Sequence, residues 1–116
     1  MHELSIAQSL IGGVCDAARE HGLKTVTEVT IRLGRLAGVV TDALRFSWEI
    51  VAEDTICAGS RLVIEDVAVV VHCPSCQKDV TLTNPSYFHC PVCDSLAPEV
   101  ISGRELLLIR ISDVPV

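Results

Sequence analysis

The sequence predicts an α+β fold, in which two helices pack on a small, mainly antiparallel three-stranded sheet and a four-cysteine, zinc-ribbon-like lobe is inserted. Three observations predict this class. Apolar residues recur at helical spacing in two segments and alternate in others. Four cysteines fall in two closely spaced pairs. The chain has 116 residues, enough for one modest core and a small lobe.

The first helix is predicted over residues 3–21, where apolar side chains recur at helical spacing. The members of this stripe are Leu4, Ala7, Ile11, Val14 and Ala18, with Leu10 and Cys15 widening it. Gly12 and Gly13 weaken the middle of the helix, and we expect them to let another element approach closely. Gly22 stands where a C-terminal cap is expected.

The second helix is predicted from an N-cap at Thr41 or Asp42 to about Glu53. Its apolar stripe consists of Leu44, Trp48 and Val51, with Phe46 and Ile50 alongside. An aspartate or threonine at this position is typical of a helix start, because its side-chain oxygen accepts a hydrogen bond from a free backbone N–H.

Strands are predicted at 26–33, 61–72 and 104–112. The second half of 61–72 is apolar on both faces, which favours a central or doubly covered strand. Cysteine, proline, serine and asparagine mark 73–98 as an inserted lobe, and we expect the strands on either side of it to pair. The predicted domains are therefore 1–72 plus 99–116, and 73–98.

The inserted lobe contains two Cys-x-x-Cys turns, Cys73 to Cys76 and Cys90 to Cys93, with thirteen residues between them. This spacing predicts a tetrahedral zinc site with four thiolate ligands. All four positions are filled, which favours structural over catalytic zinc. A lobe this small cannot fold on its own apolar surface, and the metal would contribute on the order of 10 kcal/mol. An iron–sulfur site or a redox pair remains an alternative.

Four other side chains are candidates for smaller roles. His72 and His89 directly precede the two turns, and each is a replacement ligand, a hydrogen-bond donor to sulfur, or a plain surface histidine. Cys15 is expected as a small core residue. Cys57 is expected in a loop as an exposed thiol.

Composition excludes several function classes. The formal net charge is −6, there is no run of Lys or Arg, and aromatics make up 3%, all of which disfavour nucleic-acid binding. No signal peptide is apparent and the longest apolar run, 67–71, is too short for a membrane span, so a cytoplasmic protein is expected. No nucleophile–base pair or phosphate loop is present, so we expect no enzyme.

The N-terminal sequence Met1-His2-Glu3 is a second candidate metal site. The α-amine, a backbone nitrogen and the imidazole of His2 can converge on one ion, and such nitrogen-rich sets suit Ni(II) or Cu(II). Glu3 adds an oxygen ligand or a hydrogen-bond partner. The alternative is that an acidic residue here only favours the helix dipole.

Taken together, the chain resembles the HypA-type hydrogenase nickel-incorporation proteins over its whole length. The resemblance is carried by the opening Met-His-Glu-Leu-Ser, the Val-Thr-Ile-Arg-Leu-Gly strand at 29–34, Asp-Ala-Leu-Arg-Phe at 42–46, the paired Cys-x-x-Cys lobe, and Ser-Gly-Arg-Glu-Leu at 102–106. The order and spacing of these motifs make the match specific.

The resemblance implies a nickel-binding α+β domain and a separate zinc lobe. Nickel would be held transiently by the Met1 amine, His2 and Glu3, with Asp42 nearby. The resemblance also implies delivery of Ni(II) to the large subunit of [NiFe] hydrogenase together with a partner GTPase, and in some members to urease. It leaves monomer and homodimer open. The alternative function is a zinc-ribbon adaptor for a protein or nucleic-acid partner, without nickel.

Overall fold

The computed structural model describes residues 2–113, and its helices and sheets confirm the predicted α+β class. The elements are α1 Glu3–Glu20, β1 Glu28–Gly34, α2 Thr41–Ala52, β2 Arg61–Val67, β3 Val70–Cys73, β4 Lys78–Thr81, β5 Glu99–Ser102 and β6 Leu106–Ser112. Three strands form one sheet in the order β2-β1-β6, and three form another in the order β4-β3-β5. No helix in this part of the chain is long and apolar enough to cross a membrane.

The described residues divide into two compact units. The first comprises those of Met1–Ile31, Val39–Ile64 and Leu108–Val116, and the second comprises Arg32–Gly38 and Glu65–Leu107. Composition predicts different boundaries, with one domain formed by 1–72 plus 99–116 and a second by 73–98. These domain boundaries stay a prediction.

β1 and β2 run parallel, with α2 as the connection between them. At the start of β1, Arg61 N–H donates to the carbonyl of Thr27 at 2.9 Å, and beyond its end Arg35 N–H donates to the carbonyl of Val67 at 3.2 Å. Parallel neighbours need a long crossover connection, usually a helix, and α2 supplies it. The second sheet is antiparallel, since β3 pairs antiparallel with both β4 and β5.

The core of the first unit is aliphatic around one tryptophan, and α1 packs against α2. Its buried hydrophobic side chains are Ala7, Ile11, Val14, Ala18, Val26, Val29, Ile31, Leu44, Trp48, Ala52, Cys57 and Leu62. Trp48 donates its Nε1–H to Ser60 Oγ at 2.9 Å, which satisfies the polar end of the ring. Two expectations were wrong here: Cys57 is fully buried, whereas Phe46 and Ile50 on α2 are at least half exposed.

α1 ends at the glycine cap that the sequence predicts. Gly22 adopts φ +70°, its N–H donates to Arg19, and the N–H of Leu23 donates to Ala18 at 2.8 Å. These two bonds satisfy carbonyls that the helix end would otherwise leave free. The expectation of a close approach at Gly12 and Gly13 was wrong, because an added Cβ at either would meet nothing within 4 Å.

The predicted strand 61–72 is two strands that belong to different sheets. The break is at Ala68 and Val69, whose carbonyls accept hydrogen bonds from Ser102 Oγ at 3.0 Å and from Leu82 N–H at 2.9 Å. β3 therefore lies at the centre of the second sheet, as its doubly apolar pattern predicts. β2 and β6 do not pair with each other, since β1 lies between them. The strands that directly flank 73–98 do pair as expected, because β3 pairs antiparallel with β5.

In the second unit, the backbone at Gly34 approaches that at Gly103. An added Cβ on Gly34 would lie 2.1 Å from the carbonyl oxygen of Gly103. The same carbonyl accepts a hydrogen bond from Leu36 N–H at 2.7 Å, and Gly34 N–H donates to Glu105 at 2.8 Å. Only glycine fits this contact without moving hydrogen-bonded backbone.

Gly34→Ala should therefore lower the free energy of unfolding by about 3 kcal/mol, since overpacking against backbone cannot be relieved by a side-chain rotation. Urea unfolding of zinc-loaded protein measures this. The control is Gly12→Ala at an exposed position of α1. This change should raise the free energy of unfolding by about 1 kcal/mol, because alanine favours the helix. Equal midpoints for Gly34→Ala and the parent chain would contradict the close contact.

Candidate metal centres

The first Cys-x-x-Cys turn follows β3 and is closed by its own backbone. Gln77 N–H donates to the carbonyl of Cys73 at 2.8 Å, with Gln77 at φ +54°. Cys76 N–H points at the sulfur of Cys73, with an N–Sγ distance of 3.4 Å. β4 begins at Lys78, which pairs with Cys73 in the ladder. The turn is thus the tip of a β3–β4 hairpin, and it directs two sulfurs to one side.

The second turn repeats this geometry. Asp94 N–H donates to the carbonyl of Cys90 at 2.7 Å, with Asp94 at φ +59°. Val92 N–H lies 3.4 Å from the sulfur of Cys90. A bridge between His89 and Leu96 closes the base of the turn. Two hairpin tips of the same construction therefore face one point.

The four sulfurs converge as the sequence predicts. All four ligand atoms lie within 4.8 Å of one another. The Cys73–Cys93 sulfur distance is 3.5 Å and the Cys76–Cys90 distance is 3.9 Å. Tetrahedral zinc with Zn–S bonds of about 2.3 Å requires sulfur separations of about 3.8 Å. The group therefore accepts a zinc ion with only small shifts, and it leaves no open coordination position.

Two of the four thiols have shifted pKa values. Hydrogen bonding from the side chain and then the backbone of Ser95 lowers the pKa of Cys93 to about 6. Hydrogen bonding to Cys93 and then Cys73 raises the pKa of Cys76 to about 12. Without a metal the group keeps a proton on Cys76 at neutral pH. A divalent ion would displace it, because only thiolates bind zinc.

Neither neighbouring histidine belongs to the sulfur group. His72 Nδ1 lies 3.0 Å from Asp79 Oδ1, across the β3–β4 pair. The ring of His89 stacks on Tyr87 at a centroid distance of 4.2 Å. Tyr87 in turn donates its hydroxyl to Asp94 Oδ1 at 3.0 Å. These contacts favour a supporting role for both histidines over replacement of a thiolate.

At the N-terminus, Glu3 rather than Leu4 occupies the buried position of the α1 stripe. Glu3 is 5% exposed and Leu4 is 47% exposed, so the expectation that Leu4 is buried was wrong. The Glu3 Oε2 atom accepts a hydrogen bond from Val40 N–H at 3.2 Å. The sequence signal for this is an acidic residue four positions before Ala7, at the same angular position on the helix.

Glu3 accepts a hydrogen bond from the N-cap residue of α2, a contact that the sequence does not predict. The N-cap of α2 is Val40, without a side-chain cap bond, so the predicted cap at Thr41 or Asp42 was wrong. Both residues instead lie in the first turn of α2, where an acidic side chain such as Asp42 favours the helix dipole. The Glu3 carboxylate bonds the backbone at that helix start in their place.

The charge state of Glu3 follows from these contacts. Hydrogen bonding from the chain's amino group, and next from the Val40 N–H, lowers the Glu3 pKa to about 2.

The other predicted nickel ligands do not form a group among the described residues. His2 is the exposed N-cap of α1, and Asp42 is exposed on α2. Within residues 2–113, three or more possible ligands come together only at the four cysteines. Met1, the remaining predicted nickel ligand, lies outside the described residues.

Removal of one buried sulfur should abolish metal binding. We expect Cys90→Ser to lose bound zinc and to expose the core of the second unit, because structural zinc contributes on the order of 10 kcal/mol. Metal analysis and the cobalt(II) absorption spectrum measure this. Cys15→Ser, outside the group, should keep one metal ion per chain. Full zinc occupancy of Cys90→Ser would argue against a four-thiolate site.

The buried Glu3 carboxylate should make stability depend on acid. Its folded pKa, about 2, is below the ordinary 4.5, so its contribution is complete above pH 4.5 and is lost as pH falls toward 2. We expect Glu3→Gln to be less stable than the parent at neutral pH. The difference between their urea midpoints should become smaller as the pH falls. Urea midpoints across this range test it, with Glu20→Gln at the far end of α1 as the control for losing a carboxylate. A difference between the two midpoints that does not change with pH would contradict the lowered pKa of Glu3.

Comparison with known proteins places these features in a family. The family model described as "Hydrogenase/urease nickel incorporation, metallochaperone, hypA" matches residues 1–112. A Chloroflexus aurantiacus protein named hydrogenase maturation factor HypA is 52% identical over 111 residues, covering 96% of this chain and 97% of its own. A Roseiflexus protein of the same name is 43% identical, covering 93% of this chain and 88% of its own.

Solved structures agree at the level of the fold. The solution structure of the Ni metallochaperone HypA from Helicobacter pylori matches with a TM-score of 0.66 and 22% identity, over 96% of each chain. A second solution structure of a HypA protein matches with a TM-score of 0.69 and 23% identity, over 98% of this chain and 97% of that one. With sequence similarity that extends from end to end, this chain belongs to the HypA family of hydrogenase/urease nickel-incorporation metallochaperones.

Proposed function

We propose that this chain carries Ni(II) at its N-terminus and delivers it for maturation of the [NiFe] hydrogenase large subunit, while a permanent zinc ion holds the cysteine lobe. The observation that supports this most directly is the bond from Val40 N–H to the buried Glu3 carboxylate. That bond ties the residue after His2 to the start of the helix that carries Asp42.

The nickel ligands in this proposal are the Met1 amine and His2, with Glu3 and Asp42 completing the environment. An amine, a backbone nitrogen and an imidazole form the nitrogen-rich set that suits tetragonal Ni(II). The positive ends of α1 and α2 disfavour a cation, so carboxylates are needed nearby. Glu3 supplies one, since it stays ionised down to a pH of about 2, and exposed Asp42 supplies the other.

The two metals have different tasks because their sites differ in accessibility. Two of the zinc ligands, Cys73 and Cys90, are buried, and all four come from closed hairpin tips. His2, by contrast, is exposed at a helix start. Protons compete for the imidazole and the amine, so acidification weakens nickel binding and favours release. We therefore assign residues 1–72 and 99–116 to nickel, and 73–98 to zinc.

The partners in this proposal are a nickel-handling GTPase and the hydrogenase large subunit, both of which we expect in the cytoplasm. Urease remains a second recipient, since the family description includes it. The chain itself acts as a carrier and not as an enzyme. The net charge of −6 fits protein partners better than nucleic acid.

A calorimetric titration of Ni(II) into untagged, zinc-loaded protein tests the carrier role. We expect one saturable nickel site that His2→Ala weakens by on the order of 100-fold or more, because even outer-sphere changes cost 10- to 100-fold. Asp42→Asn should weaken binding less. His21→Ala changes an exposed histidine at the other end of α1 and should leave nickel binding unchanged.

A single alanine added before Met1 provides an independent check. It displaces the α-amine without altering any side chain, so nickel binding should fall as in His2→Ala while the zinc content stays constant. Nickel binding that survives both changes would refute the N-terminal site. The remaining account would then be a zinc-ribbon adaptor that recruits a partner without carrying nickel.

A further inference from the structure

Two cysteines outside the metal centres belong to the first unit, Cys15 on α1 and Cys57 in the loop after α2. Cys57 is fully buried and Cys15, on α1, is partly exposed; both are free thiols. Burial raises the pKa of Cys57 to about 11, with the nearby Cys15 as the second cause. Neither residue has a part in the zinc or nickel sites described above.

The loop after α2 holds Cys57 inward through its own hydrogen bonds. Cys57 N–H donates to Thr55 Oγ1 at 3.0 Å, and the Thr55 hydroxyl donates to the carbonyl of Ala52 at 2.7 Å. Ser60 N–H closes the other side by donating to the carbonyl of Cys57 at 2.8 Å. These bonds order the loop, and Cys15 on α1 lines one cavity together with Thr55, Ile56 and Ala58 of the same loop.

A cavity of about 860 Å³ gives access to Cys15. Its lining includes Arg19, Lys24, Asp54 and Thr55. The volume is ample for a tripeptide-sized molecule attached to the Cys15 sulfur. Arg19 is already paired with Asp16 at 3.3 Å, so Lys24 is the cation that would attract a carboxylate of a small molecule.

We propose that Cys15 and Cys57 are a reversible dithiol–disulfide pair, which a small anionic disulfide such as oxidised glutathione oxidises through this cavity. Cys15, the accessible thiol, reacts first, and Cys57, which is shielded from solvent, resolves the adduct. The pair joins α1 covalently to the loop that follows α2. This proposal is independent of the proposed nickel role.

The exchange balances without any further reactant. Cys15 loses its proton to solvent, and its thiolate attacks one sulfur of oxidised glutathione, which forms a mixed disulfide and expels one glutathione thiolate. Cys57 then loses its proton and attacks the Cys15 sulfur, expelling the second glutathione thiolate. The protein loses two electrons and two protons, and one oxidised glutathione becomes two reduced molecules.

The test is incubation of the full-length, zinc-loaded chain in glutathione redox buffers at neutral pH, followed by intact mass and peptide mapping. We expect a product lighter by two hydrogen atoms whose map links Cys15 to Cys57, with zinc retained, and reversal by reduced glutathione. Cys57→Ala should stop at a glutathione adduct on Cys15. Cys15→Ser should give neither product.

Cys57→Val is a second variant, because alanine at this fully buried position leaves a cavity that can impair folding. It should give the same adduct on Cys15. Three results would overturn the proposal: a linkage within or between the two Cys-x-x-Cys turns with loss of zinc, an adduct on Cys15 that persists in the parent chain, or full alkylation of both thiols after oxidation.

Discussion

The convergence of four sulfurs on one point is the constraint on which the second unit depends. Cys73 and Cys90 are members of its buried core, together with Val69, Val71 and Ala97. The metal ligands and the hydrophobic core are therefore the same residues in part, and neither is complete without the other. A core this small falls in the size range where a metal usually supplies what apolar burial cannot.

In the first unit, a single carboxylate links the starts of two helices. A buried charge is tolerated only when hydrogen bonds replace its water, and Glu3 obtains one from Val40 N–H. Its position also places negative charge between two helix starts, whose dipoles it offsets. The same side chain thus links the starts of two helices and supplies negative charge where we propose that nickel binds.

Periodicity and spacing could predict both helices, the cysteine site and the inserted lobe, because each depends on local pattern. The buried position of Glu3 could not be predicted, since Leu4 is the better core residue by hydrophobicity and only a bond to residue 40 decides the helix orientation. The switch between sheets at Ala68 and Val69 lies within a uniformly apolar run that carries no turn signal. Helical spacing places Phe46 and Ile50 alongside the apolar stripe, whereas α2 turns both outward.

The unequal exposure of the four sulfurs has a kinetic consequence. Cys73 and Cys90 are buried, Cys76 is intermediate and Cys93 is exposed at the surface. A competing ligand would therefore reach a bound metal ion first from the Cys93 side, and metal exchange would begin at the Cys93 sulfur. The lifetime of the ion would then be set by the exposed thiolate, whereas its equilibrium affinity would be set by all four.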